Sequence, residues 1–202
     1  MRLEQEEGNS FENITPQADF SFQFTAAKEY LKIENRIFNI LTKISTKIFI
    51  KKKNLGCIIV SGNFDINDNH IVIGMRQIGI NPIQKYISFS YSNFENEIVK
   101  LIEENNDGAI VVNRSGQVLG AKIYLTVDNP SLDVPDGCGT RHITAASFSK
   151  RNDVISVFTL SEETLVVRKW RNGVFVDQFF PSDNKAESNP ENKEQGDSYD
   201  EQ

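Results

Sequence analysis

Three short polar stretches carry the residue types from which a reaction could be built: Asp107-Gly-Ala109, Gly139-Thr-Arg-His142 and Ser161-Glu-Glu163. Each falls at the edge of an apolar run, and strand ends are where open α/β sheets place their ligands. The set suits phosphoryl transfer, in which a protein mainly positions the nucleophile and neutralises charge. Asp107 could take a hydroxyl proton or hold a metal; alone, it reads equally well as a turn residue that bonds nearby amides. Gly137 and Gly139 permit a backbone that approaches phosphate oxygens closely. Thr140, Arg141 and His142 then add a hydroxyl, a planar cation and an imidazole, a combination suited to triphosphate oxygens and a divalent ion. A lone histidine is more often structural, so His142 draws its weight from its two neighbours. Glu162 and Glu163 offer the carboxylate oxygens that Mg²⁺ or Mn²⁺ prefer; standing alone they would be a solvated acidic turn.

The elements around these stretches follow from hydrophobic spacing. Between Ala26 and about Lys51, Tyr30, Ile33, Ile37, Leu41, Ile44 and Ile48 mark one face of an amphipathic helix, with most of the charged residues off that stripe. Leu55 to Gly62 is a β-branched run bounded by glycines and reads as a buried strand. Phe94 to Glu104 repeats the helical spacing. Asp107 to Val112 predicts a strand, and Asn113-Arg-Ser-Gly116 a tight turn into a second strand over Gln117 to Val127. Thr144 to Lys150 predicts a short helix and Val154 to Leu160 a further strand. Leu165 to Lys169 and Val174 to Phe179 flank Arg171-Asn-Gly173, an Asn-Gly hairpin signal. The mixture predicts an α/β fold, a mixed central β-sheet flanked by helices, with an N-terminal helix.

Bulk properties set the boundaries. The chain of 202 residues suits one ordinary domain with extra sequence. Its net charge of -6 is concentrated at the ends: Met1 to Ala18 has one base against four acids, and Pro181 to Gln202 two against seven. The stretch between them is close to neutral. We expect a disordered acidic arm over 1–18, the amphipathic helix over 19–52, a catalytic domain over 53–180 and a disordered acidic tail over 181–202. Cys57 and Cys138 have neither disulfide-framework nor Cys-x-x-Cys spacing, and they suit a reducing cytosol. His70, in Asn67-Asp-Asn-His70, lacks neighbouring partners and reads as a solvated loop residue. The apolar stretch Ile37 to Ile50 is broken by Lys43 and Lys47 and is too short for a bilayer. Without a signal-peptide pattern, a cytoplasmic protein is expected. Neither a Walker loop, nor a dinucleotide fingerprint, nor His-Glu-x-x-His is present, and no basic stripe points to nucleic acid.

Taken in order, Asp107-Gly-Ala, Gly139-Thr-Arg-His and Ser161-Glu-Glu-Thr164 make the chain resemble the diadenylate cyclase domain family over roughly Leu55 to Val176. Gly79-Ile-Asn-Pro-Ile-Gln-Lys-Tyr86 is similar to its soluble archaeal-type branch. The resemblance implies an enzyme that condenses two ATP into cyclic di-AMP and two pyrophosphates, working as at least a catalytic dimer with Mn²⁺ or Mg²⁺, Co²⁺ being a further candidate. It implies that Asp107, with Gly108 beside it, assists the 3′-hydroxyl attack together with Arg141 and His142. Gly139, Thr140, Arg141 and Ser161 would hold phosphates, Tyr124 and the Leu125 backbone would take the adenine, and His142 with Glu162 or Glu163 would serve the metal and phosphates. One departure stands out: the family's commonest pattern has a second arginine after the histidine, where this chain has Ile143. The alternative reading is a catalytically weak module that binds ATP or cyclic di-AMP.

Overall fold

The computed structural model describes residues 20–64, 74–83, 87–88, 92–104, 107–128, 130 and 134–182. The arm expected over 1–18, most of the tail expected over 181–202, His70, and Gln84 to Tyr86 lie outside these. The elements run α1 (Phe20–Lys51), β1 (Cys57–Gly62), β2 (Met75–Gln77), α2 (Phe94–Glu104), β3 (Ala109–Asn113), β4 (Val118–Leu125), α3 (Thr140–Phe148), β5 (Val154–Leu160), β6 (Val167–Arg171) and β7 (Val174–Phe179). The strands form one sheet in the order β2-β4-β3-β1-β5-β6-β7. Among the described residues only β1 and β3 pair in parallel, and the other strand pairings are antiparallel. The expected mixed sheet flanked by helices is what the chain forms.

Helices cover both faces of this sheet, which explains why the central strands are apolar throughout rather than alternating. All five residues of β3 are buried. Ile110 and Val112 point to the face under α1 and α2, whereas Ala109 and Val111 point to the face under α3. The α1 stripe read from the sequence lies in the first cluster: Ile33, Ile37, Leu41, Ile44 and Ile48 are buried with Ile98 and Ile102 of α2. Burying such a side chain contributes roughly 1.5–3 kcal/mol, so α1 belongs to the core.

Polar contacts fix where α1 sits. Glu34 is only 2% exposed and is held by Arg171, by the Ser156 hydroxyl and by Lys169, whose Nζ is 3.3 Å away. The Ser45 hydroxyl donates to the Leu165 carbonyl at 2.6 Å. The predicted hairpin between β6 and β7 closes through Asn172 and Gly173, with φ of 49° and 87°, the pair of positive values that an Asn-Gly turn supplies.

Three elements differ from the sequence reading. Helix α1 begins at Phe20, six residues before the stretch over which its apolar stripe is read. The three-residue β2 has no hydrophobic pattern of its own and exists because Met75, Arg76 and Gln77 pair with Leu125, Tyr124 and Ile123 of β4. Helix α3 starts at Thr140, four residues before the expected Thr144. Gly139 is its N-cap and its carbonyl accepts the first turn's hydrogen bonds from the His142 and Ile143 amides at 3.0 and 3.2 Å. A glycine cap has no side chain to announce it.

Candidate active site

Sheet topology brings the three polar stretches together. Strands β1 and β3 are parallel, and β4 and β5 run against them. The residues before β1 and β3 therefore meet those at the ends of β4 and β5 on one edge of the sheet. Gly56 and the Asp107-Gly108 pair arrive there from the amino ends, and Tyr124, Leu125 and Ser161 from the carboxyl ends. The first turn of α3 closes over the same edge. Its early start puts Thr140, Arg141 and His142 on that turn instead of in a loop, and no side chain caps its first amides. Uncapped amides at a helix N-terminus suit anionic oxygens.

Two cavities share this edge. One, of about 260 Å³, is lined by Asp107, Gly108, Ile123, Tyr124, Leu125 and Thr144 among others. The second, of about 560 Å³, is lined by Gly137, Gly139, His142, Ser161, Glu162 and Glu163. Thr140 and Arg141 line both, so the cavities adjoin across this pair. Tyr124 is half exposed, with the Arg76 guanidinium 5.5 Å from its ring centroid; the two residues face each other across β2 and β4. Gly108 has φ of 79°, and a Cβ there would lie 2.8 Å from the Lys122 carbonyl carbon. Both the conformation and the close approach call for glycine. Asp107 is exposed at the lip.

The polar cavity is organised around Arg141. Its Nη2 is 3.4 Å from the Glu162 Oε2, and its guanidinium lies over Gly56, where a Cβ would come within 2.3 Å of Nη1. Ser161 opens a tight turn: the Leu165 amide donates to its carbonyl at 3.1 Å, and the Thr164 amide donates to its Oγ at 3.2 Å. That leaves the Ser161 hydroxyl proton for a ligand. Glu162 and Glu163 stand exposed on the same turn. Leu165 ends it with φ of 56°.

His142 is buried under the first turn of α3, with its ring centroid 6.0 Å from that of Trp170. Burial first, then the Arg168 and Arg141 guanidinia, push its pKa down to about 4, so the ring is neutral at ordinary pH. Arg168 on β6 brings its Nη1 to 3.2 Å from the His142 Nε2. Sequence reasoning missed Arg168, Arg76 and Gly56. A guanidinium is absent directly after His142, where Ile143 stands, and arrives beside the ring from a strand instead.

The acidic groups bear on a metal. Among the described residues no three His, Cys, Asp or Glu side chains converge into a ready-made cage. A hard divalent ion working on phosphates needs only one or two carboxylates from the protein, the rest being phosphate oxygens and water. Glu162 and Glu163 fit that role; the His142 Nε2 faces Arg168.

Residues 45–175 match the DAC family, described as DisA bacterial checkpoint controller nucleotide-binding. A protein of Methanocaldococcus jannaschii named diadenylate cyclase is 30% identical over 126 residues, which is 61% of this chain and 38% of that protein. One of the same name from Haloferax volcanii is 26% identical over 106 residues, 52% of this chain and 39% of that protein. The chain thus spans under two fifths of the curated relatives it matches. Among solved structures, a double mutant of DacA from Staphylococcus aureus is 20% identical, covering 71% of this chain and 87% of its own, with a TM-score of 0.46. A hypothetical membrane-spanning protein from Bacillus cereus is 21% identical, covering 82% and 64%, with a TM-score of 0.43. In this chain no helix among the described residues is long and apolar enough to cross a membrane. With the family match covering well over half its length and its motifs gathered on one edge of the sheet, the chain belongs to the DAC nucleotide-binding family.

Proposed function

We propose that this chain is a diadenylate cyclase, joining two ATP molecules into cyclic di-AMP with release of two pyrophosphates. The observation that carries the reading is the junction at Thr140 and Arg141. There a cavity holding Asp107, Tyr124 and apolar side chains adjoins a polar one holding Gly139, Ser161 and two glutamates. The first suits an adenosine and the second a triphosphate. The name diadenylate cyclase carried by two relatives supports it.

In each half-reaction the 3′-oxygen of one nucleotide bonds to the α-phosphorus of the other. The bond from that phosphorus to the oxygen bridging to the β-phosphate breaks, and pyrophosphate leaves with the electron pair. Asp107 takes the hydroxyl proton. The Tyr124 ring lies against adenine and the Leu125 backbone reads its edge. Arg141, Thr140, Ser161 and the uncapped α3 amides hold phosphate oxygens. A divalent ion, Mn²⁺ or Mg²⁺, held by Glu162 and Glu163 would neutralise charge on the departing pyrophosphate.

The product is two-fold symmetric and needs two bonds, whereas the chain carries one set of motifs. Two chains therefore face each other with one ATP each, an arrangement a two-fold interface supplies. Holding both nucleotides in attack geometry is the main source of acceleration. On this reading the catalytic unit spans about residues 53–180, supported by α1. Incubation with ATP and Mn²⁺ should yield cyclic di-AMP by mass spectrometry, and chelation should abolish it. Folded protein that binds ATP but gives neither cyclic nor linear diadenylate with Mg²⁺, Mn²⁺ or Co²⁺ is a binding module instead.

A further inference from the structure

Tyr124 has a strand neighbour on one side only. Strand β3 enters the sheet at Ala109, opposite Ile123, so past Ile123 the β3 side of β4 is left to the Asp107-Gly108 turn. On the other side Arg76 of β2 pairs directly with Tyr124. Residues opposite each other on antiparallel strands lie close enough for their side chains to meet, and the Arg76 guanidinium is 5.5 Å from the Tyr124 ring centroid. Tyr124 lines the cavity that holds Asp107, Gly108 and Ile123, whereas Arg76 does not. The ring thus stands between the cation on its β2 side and the cavity on its β3 side. Arg76 is exposed on an edge strand, and no carboxylate among the described residues pairs with it.

We infer that Arg76 is a positioning residue: its guanidinium seats the Tyr124 ring from behind, so that the opposite face of the ring is held toward the cavity as a platform for a flat heterocycle. A half-exposed tyrosine at a rim has several staggered orientations open to it, and binding to one of them loses affinity in ordering the side chain. The attraction between a cation and the ring face selects one orientation beforehand. At an exposed site that attraction is equivalent to about a two- to fivefold change in affinity. A platform serves the bound substrate and the transition state alike, so its loss falls on KM and spares kcat. The inference rests on the proposed nucleotide reading in taking the heterocycle to be the adenine of ATP.

Calorimetry on the full chain tests this with a non-hydrolysable ATP analogue and, separately, with inorganic triphosphate, which has no base. Arg76→Ala should weaken the analogue about two- to fivefold and leave triphosphate binding unchanged, and Arg76→Lys should recover part of the loss. In a Tyr124→Leu background the arginine change should cost nothing further. Turnover of ATP by Arg76→Ala should show the loss in KM with kcat kept. An equal weakening of triphosphate, a loss that persists without Tyr124, or a fall in kcat at unchanged KM overturns the inference. Should Arg76→Ala not fold, Arg76→Gln, which keeps much of the stem without the charge, carries the same expectations. Spectra of ¹³C-labelled tyrosine rings give a reading free of ligand, with Tyr124→Leu assigning one signal among five tyrosines. The Tyr124 signal should shift on loss of the guanidinium, and an unchanged signal overturns the seating. An analogue that fails to bind a chain whose Tyr124 signal does respond removes the nucleotide reading and leaves the seating of Tyr124 by Arg76 supported.

Discussion

Replacing Gly56 by alanine isolates the placement of Arg141. The new methyl carbon would lie 2.3 Å from Nη1, 2.6 Å from Cζ and 3.0 Å from Nη2 of that side chain. Carbon and nitrogen settle near 3.5 Å, so the guanidinium must retreat by about 1.2 Å. What gives way is the far end of a flexible side chain, and Gly56 is not among the positive-φ glycines; the backbone accepts alanine. Folding stability should hold or rise by about 0.4–1 kcal/mol, because alanine restricts the unfolded chain. Activity should fall, since misplacing a substrate-holding group by about 1 Å can cost on the order of 10²-fold. We expect a loss of ten- to a hundredfold in kcat/KM, equivalent to about 1.4–2.7 kcal/mol of transition-state stabilisation. The assay pairs urea unfolding with initial rates of cyclic di-AMP formation, for Gly56→Ala, Arg141→Ala and the double variant. In the Arg141→Ala background the glycine change should cost almost nothing further. A wild-type rate for Gly56→Ala, or an equal loss with Arg141 already gone, would refute the seat assigned to Gly56.

Asp107→Asn keeps the shape of an exposed side chain and loses its charge; turnover should drop by about 10²-fold or more while calorimetry shows near-normal binding of an ATP analogue, and a rate close to wild type removes the base from Asp107. Glu34→Ala leaves Lys169 and Arg171 without their buried partner, and urea unfolding should register a loss of about 3–5 kcal/mol. A much smaller loss would mean that water already screens that cluster. His142, with its folded pKa lowered to about 4, binds fewer protons folded than unfolded between that value and about 6.5. Stability should therefore fall as pH drops through this window, by up to about 3 kcal/mol, and level off below it. His142→Gln should remove that part of the slope, and identical pH profiles for the two proteins would show that the ring is not held neutral.

Much of the fold was legible because its signals are local. The spacing of Phe94, Ile98, Leu101 and Ile102 predicted α2 to the residue, and the β-branched run Val154 to Leu160 predicted β5. Asp107, Arg141, His142, Ser161 and Glu162, picked out as polar groups at the edges of apolar runs, line the two adjoining cavities. Illegible were features that exist only through distant pairing. Strand β2 is a strand because β4 is beside it. Glu34 sits at a helix position that looks solvated until Arg171 and Lys169 arrive from β6. Arg168 carries no mark of its place in Val-Arg-Lys-Trp, because the histidine it meets lies on α3, 26 residues earlier. Gly56 looks like a strand boundary until the Arg141 guanidinium is placed on it.

Leu165 ends the glutamate-bearing turn in the left-handed region, which for a side chain other than glycine costs about 1–2 kcal/mol. Two hydrogen bonds keep it there: its amide reaches back to the Ser161 carbonyl, and its own carbonyl is gripped by Ser45, 120 residues earlier on α1. The turn therefore acts as a sprung catch, and its latch is a single hydroxyl on a helix far away in the chain. Slack introduced into α1, by a mid-helix glycine or a one-residue deletion before Ser45, would reach the reaction as misplaced carboxylates on Glu162 and Glu163 even where every motif residue is left untouched.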